Sequence, residues 1–182
     1  LTSCAVAICG DGFIQNGVEQ CDDGQYALGG DGCDATCQSE LGWNCDGANP
    51  TTCTPICGDG LTVGAEVCDD GNASNNDACL NTCENASCSD GYVQTGVETC
   101  DDQNTTPGDG CDATCQDETG WNCDGMDPTV SSSICGDGVV VGTEECDDAN
   151  ADNTDNCLYT CVAASCGDGF TQSGVEECDD GN

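Results

Sequence analysis

Carboxylates at fixed distances from cysteines carry most of the chemistry this chain could do. Asp11, Asp59, Asp90, Asp137 and Asp168 each follow a cysteine by two positions. Glu19, Glu66, Glu98, Glu144 and Glu176 each precede the next cysteine by two. An Asp-Asp pair follows that second cysteine: Asp22 and Asp23, Asp69 and Asp70, Asp101 and Asp102, Asp147 and Asp148, Asp179 and Asp180. Asp31, Asp77, Asp109 and Asp155 stand two residues before a third cysteine. These positions hold 24 of the 36 acids. Charge that served only solubility would be spread without regard to register.

Carboxylates ~4 Å apart repel by several kcal/mol at an effective dielectric near 20. A hard divalent cation turns that repulsion into binding. Ca²⁺ accepts about 6–8 oxygens in irregular geometry, from carboxylates, backbone carbonyls and Asn amides. The loop CDDGNASNNDAC, 68–79, supplies all of these. It lacks the EF-hand spacing, and Mg²⁺ would ask for stricter octahedral geometry and retained water. The 24 acids are therefore expected to form Ca²⁺ sites. Purely solvated acidic loops and another cation are the alternatives.

The elements that position these acids must do so without cations. The chain has no Lys, Arg or His and a formal charge of −36 over 182 residues. No side-chain salt bridge can form, and neutralising charge must come from outside. Nucleic acid is excluded as a partner, because phosphate binding needs basic residues. The usual bases, activators and oxyanion clamps are missing, so no catalytic residue is assigned. Paired carboxylates can hydrolyse glycosides, but here the pairs recur in every repeat.

Leu, Ile, Val and Phe number 24, about 13% of the chain, a fraction that with this charge would ordinarily mean disorder. The 22 cysteines, about 12%, overturn that expectation. Cysteine this dense marks a disulfide scaffold made in an oxidising compartment. C-x3-C occurs at 33/37, 79/83, 111/115 and 157/161, whereas zinc sites usually show C-x2-C or histidine. Each short unit has four cysteines, which allow three pairings. First with fourth and second with third is favoured, because it brackets the acidic loop in a closed ring. Cys45 can pair with Cys53, but Ser131 stands at the counterpart of Cys53 and leaves Cys123 odd. It is free, paired elsewhere in the chain, or bonded to another chain.

The repeat reads C-G-D-G, a short apolar stretch, a Gly turn, E-x-C-D-D, a polar loop, then D-x-C-x3-C. Long units begin at 9, 88 and 166, and the first two continue into a GWNCDG tail. Short units begin at 57 and 135 and have no tail. The expected divisions are 1–8 (end of a short repeat), 9–56 (long), 57–87 (short), 88–134 (long), 135–165 (short) and 166–182 (start of a long repeat). FIQNGVEQ at 13–20 reads as a tiny hairpin, since Asn-Gly favours a primed turn. No helical periodicity of useful length is present. The expected fold class is small disulfide-rich repeats, mostly loops with short β-hairpins, in a linear array of alternating long and short units. Trp43 and Trp121 are expected to cover disulfides in the tails, and Phe13, Tyr26, Tyr92 and Phe170 to pack locally.

This arrangement resembles the Myxococcus-type cysteine-rich disulfide repeat, with its CGDG, CDDG and GW-x-C motifs, and more loosely the calcium-binding Notch-type repeats. The likeness covers essentially the whole chain. Ser89 departs from it at a Gly of CGDG, and Gln103 and Ala149 at the Gly of CDDG. The resemblance implies secretion and a modular, stalk-like role without one agreed activity.

The expected function is structural: a calcium- and disulfide-stabilised segment of an extracellular filament, stalk or adhesin shaft, partnered by copies of itself or neighbouring repeats. The rival is a calcium-dependent ligand- or protease-recognition module, and calcium storage is a third possibility. Near-identical repetition favours the first. Asn72, Asn85 and Asn104 head glycosylation sequons, and no apolar run of membrane-spanning length is present. Cys4 matches the fourth cysteine of a short unit, and Cys166 and Cys178 the first two of a long one. The 182 residues are therefore expected to be a window on a longer repetitive protein.

Overall fold

The computed structural model describes residues 8–25 and 29–181. Cys4 and Tyr26 lie outside these residues. Among the described residues there is no helix, and the strands form two antiparallel hairpins. The first joins β1, Trp43–Cys45, to β2, Cys53–Pro55. The second joins β3, Trp121–Cys123, to β4, Ser131–Ser133. The chain separates into two compact units, Leu1–Ala86 and Ser87–Asn182.

Among the described residues, nine disulfides hold this loop-rich fold. Each of the four repeats between 9 and 161 closes first-to-fourth and second-to-third: Cys9–Cys37 with Cys21–Cys33, Cys57–Cys83 with Cys68–Cys79, Cys88–Cys115 with Cys100–Cys111, and Cys135–Cys161 with Cys146–Cys157. Cys45–Cys53 staples the first hairpin at its loop end. The cystines are themselves the core. Cys21, Cys33 and Cys37 are buried together, with Cys9 and Cys45 packed against them, and Cys100, Cys111 and Cys115 form the same cluster in the second unit. Val18, Leu41, Val67 and Val175 are exposed. Apolar burial is therefore a minor source of order, and loop closure by the cystines takes its place.

The hairpin expected at 13–20 is not a ladder. Residues 16–18 form a turn in which the amides of Val18 and Glu19 both donate to the carbonyl of Gln15. The Glu19 carboxylate accepts from the amide of Gln15 at 2.6 Å, taking the donor that a strand pair would have used. The hairpins form instead in the tails, where Trp43 pairs with Pro55 and Cys45 with Cys53.

The Trp rings sit where a long repeat meets the following short one inside each unit. A Cβ placed at Gly64 would lie 2.6 Å from the far edge of Trp43, and one at Gly142 would lie 2.8 Å from Trp121. Gly32 abuts both Trp43 and Cys53, so a side chain there would collide with the cystine. Trp43 thus borders the Cys45–Cys53 bridge and also seats the short repeat.

Among the described residues, seven other than glycine adopt positive φ, including the fourth cysteine of every complete repeat: Cys37, Cys83, Cys115 and Cys161. Ser89, Gln103 and Ala149 also do so, at φ 79°, 68° and 64°. Those three depart from glycine in sequence yet keep the left-handed backbone that glycine supplies elsewhere. The loops around them over-determine the conformation, at a cost of about 1 kcal/mol each.

Cys123 is a half-buried free thiol whose Sγ lies 2.6 Å from Ser131 Oγ, at the register where Cys45 and Cys53 bond. Cys166 and Cys178 are free and exposed. Ser131→Cys should close a tenth disulfide with Cys123 and stabilise the second unit by about 2–3 kcal/mol through loop closure. Thermal melting with thiol titration checks this. A free-thiol count that rises by one in the variant, instead of falling by one, would contradict it.

Candidate functional site

The motif C-G-D-G explains itself once its backbone is seen. Gly10 and Gly12 have φ of 90° and 82°, which turns successive N–H groups toward one point and makes an anion-binding concavity. The anion is supplied by the chain. Asp22 accepts from the amides of Gly10, Asp11, Gly12 and Gly24 at 3.0, 3.2, 2.9 and 2.9 Å. Asp69 accepts likewise from Gly58, Asp59, Gly60 and Gly71 at 2.7–3.3 Å. Asp101 accepts from Ser89, Asp90, Gly91 and Gln103, and Asp147 from Gly136, Asp137, Gly138 and Ala149. Asp179 accepts from Gly167, Gly169 and Gly181. The first Asp of every pair is thus an internal anchor.

Long repeats bury this anchor, and short repeats leave it part-exposed. Asp22 and Asp101 are 0% exposed. The tail covers them: Thr51 accepts from the Asp22 amide at 2.9 Å and donates its own amide to the Asp22 carbonyl at 2.7 Å. Thr129 does the same for Asp101. Asn49 and Asp127 reach the opposite edge, accepting from the amides of Ile14 and Val93. Short repeats lack the tail.

The other acids divide by task. Asp11, Asp59, Asp90, Asp137 and Asp168 each accept from the amide two residues on. Glu19, Glu66, Glu98, Glu144 and Glu176 close the Gly turn by accepting from Gln15, Val63, Gln94, Val141 and Gln172. Asp23, Asp70 and Asp102 cap the next turn, through Gln25, Asn72 and Asn104. Asp31, Asp77, Asp109 and Asp155 receive a side-chain amide from Gln25, Asn72, Asn104 and Asn150.

Two of these groups meet. Asp148 and Asp155 approach each other side chain to side chain, as do Asp70 and Asp77. Desolvation and the contact with Asp155 push the Asp148 carboxyl up, while the Asn150 amide holds Asp155 below its ordinary value. Among the described residues, two buried oxygens have no hydrogen-bond partner, Asp109 Oδ1 and Glu144 Oε1. Burial pushes Glu98 up, reinforced by the charges of Asp101 and Asp90.

Tighter groupings of ligand-type atoms also occur: Glu19, Asp22 and Cys37; Cys57, Asp69 and Cys83; Cys88, Glu98 and Cys115; Cys135, Asp147 and Cys161, each within 4.8 Å. Their sulfurs are all in disulfides. A disulfide offers no thiolate to a soft metal. These carboxylates therefore pack against cystines. A depression of about 470 Å³, open to solvent, is lined by Trp43, Leu41 and Val63, with Asp34 and Glu40 also bordering it.

Several working residues were absent from the sequence assignment. Asp34 and Asp112 close the C-x3-C turn through Thr36, Gln38, Thr114 and Gln116. Glu40 accepts from Gly30 and Gly32, and Glu118 from Gly108 and Gly110. Asp46 and Asp124 close the hairpin loops. The D-A-T triplet was the available signal, since Asp and Thr cap short turns in this way.

The family model for a domain of unknown function, DUF4215, matches residues 1–38, 35–84, 80–116 and 113–162. The chain belongs to the DUF4215 family. Each DUF4215 copy ends just beyond a fourth cysteine and holds one anchor: Asp22, Asp69, Asp101 or Asp147. No curated protein and no solved structure matches the chain.

The anchors predict the response to acid. Burial pushes Asp22 up, and the amides of Gly24, Gly12, Gly10 and Asp11 outweigh it, so its carboxyl is held below the ordinary value. Asp69, Asp147 and Asp179 are held down by the equivalent amides. A depressed folded value contributes stability above the unfolded pKa, and that stability is lost as pH falls through the folded value. Melting temperature should therefore hold from neutrality to about pH 5 and decline below about pH 4. Calorimetry against pH checks this. With both variants compared in excess chelator, Asp22→Asn should cost about 3 kcal/mol by leaving buried amides mismatched, while Asp23→Asn should stay within about 0.5 kcal/mol. Equal losses in the two variants, measured by denaturant unfolding, would contradict the anchor.

Proposed function

We propose that this chain is a structural segment of an extracellular filament, stalk or adhesin shaft, stabilised by disulfides and calcium. Nine disulfides fit an oxidising compartment, and no helix among the described residues is long and apolar enough to cross a membrane. The likeness to secreted Myxococcus-type repeats, and more loosely to Notch-type calcium repeats, supports the same reading. Repetition of one architecture along the chain favours a structural role over catalysis. Copies of the chain or neighbouring repeats are the partners.

The observation that carries calcium is the meeting of the second Asp of a pair with the Asp before the third cysteine. Asp148 with Asp155, and Asp70 with Asp77, are like charges in contact in a chain that holds no cation of its own. Asp109 Oδ1, at the same place in another repeat, is buried without a partner. All the available donors are hard oxygens, which suits Ca²⁺. Asp23, Asp102 and Asp180 occupy the equivalent place, while the first Asp of each pair is already committed to backbone amides.

Metal analysis of purified protein, followed by calorimetry in excess chelator, tests the proposal. Calcium should copurify, and its removal should lower the melting temperature without breaking disulfides. Asp148→Asn should weaken binding at that repeat about tenfold or more, while neighbouring repeats keep their ions. An unchanged melting temperature in excess chelator would sink the calcium reading.

A further inference from the structure

Three Asn side chains head N-x-Ser/Thr triplets, and the structure gives them different tasks. Asn72 donates its amide to Asp77 Oδ2 at 3.0 Å and accepts from the Ser74 amide at 2.6 Å. Asn104 donates to Asp109 Oδ2 at 3.2 Å and accepts from the Thr106 amide at 2.6 Å. Asn150 makes the same two bonds, to Asp155 and from Asp152, although Asn-Ala-Asp is no sequon. Gln25 reaches Asp31 in the first repeat. A side-chain amide at this place is therefore a loop clamp, a neutral donor where no cation exists. The triplets at 72 and 104 are by-products of that clamp.

Asn85 is different. It is exposed, its backbone forms an isolated bridge with Cys79, and its side chain makes no hydrogen bond among the described residues. It also lies outside the disulfide rings, after Cys57–Cys83 closes and before Cys88–Cys115 opens. Asn72 and Asn104 sit inside the rings closed by Cys68–Cys79 and Cys100–Cys111. A sugar on either would replace an amide hydrogen on the nitrogen that faces Asp77 or Asp109, and would crowd a ring that must still oxidise.

We propose that Asn85 is an N-glycan acceptor and that Asn72 and Asn104 are not. This rests on the extracellular reading above. The donor is a lipid-pyrophosphate-linked oligosaccharide of the secretory pathway. Asn85 Nδ2 forms the bond to the anomeric carbon, the sugar–phosphate bond breaks, the lipid pyrophosphate leaves, and one amide proton passes to a base of the transferase. The modified Asn85 needs no rearrangement of the repeat.

The test is secretion of the full chain from eukaryotic cells. Disulfides are counted by mass after alkylation, and sites are mapped with an amidase that releases the glycan in heavy-oxygen water and leaves a labelled Asp. The expected result is nine disulfides, with label at Asn85 and none at Asn72 or Asn104. Asn85→Gln should remove all glycan and leave secretion intact. A secreted, fully oxidised chain with Asn85 unmodified would overturn the proposal, as would equal label at Asn72 or Asn104. Failure to emerge oxidised would overturn the extracellular reading and the proposal with it.

Discussion

One carboxylate held by four backbone amides is the interaction on which each repeat depends. Asp22 ties the CGDG segment to the loop after the second cysteine, and both carry half-cystines. The two bridges and the anchor thus join the same segments. Amide dipoles do here what lysine and arginine do elsewhere: they make a buried anion tolerable. A chain with 36 acids and no base can fold because most of its ordered acids already have N–H partners. The residual repulsion gathers where an acid meets an acid, as at Asp148 and Asp155.

The long and short repeats share this plan and differ in protection. The tail of a long repeat brings Thr51 or Thr129 over the anchor and shuts out solvent. It also carries Trp43 or Trp121 to Gly64 or Gly142 of the short repeat that follows. One segment therefore seals its own repeat and couples it to the next. The short repeat, without a tail, borrows that contact.

Much of this was legible in the sequence. Cysteine spacing and a closed acidic ring pointed to first-to-fourth and second-to-third pairing, and Ser131 marked the missing bridge. The register of the acids showed that they were pinned. It did not show what pinned them, because a carboxylate beside a cysteine reads alike whether it faces amides or an ion. The positive φ of Gly10 and Gly12 separates Asp22 from Asp23, and that is a property of the backbone. The Asn-Gly at 16–17 suggested a hairpin, but the Glu19 side chain satisfied the amide that the ladder required. Local signals named the turn and missed its closure.

The anchor also bears on how such a chain ages. Asp-Gly bonds are prone to cyclise, when the glycine nitrogen attacks the preceding side-chain carboxyl and the ring reopens to an isoaspartate. Five such bonds lie in the CGDG-type segments: 11–12, 59–60, 90–91, 137–138 and 168–169. In each, the glycine N–H is committed to the anchoring Asp and the preceding carboxylate is turned toward the amide two residues on. Nucleophile and electrophile are both held away from the attack geometry. The hydrogen bonds that shape the repeat thereby also restrain these five Asp-Gly bonds.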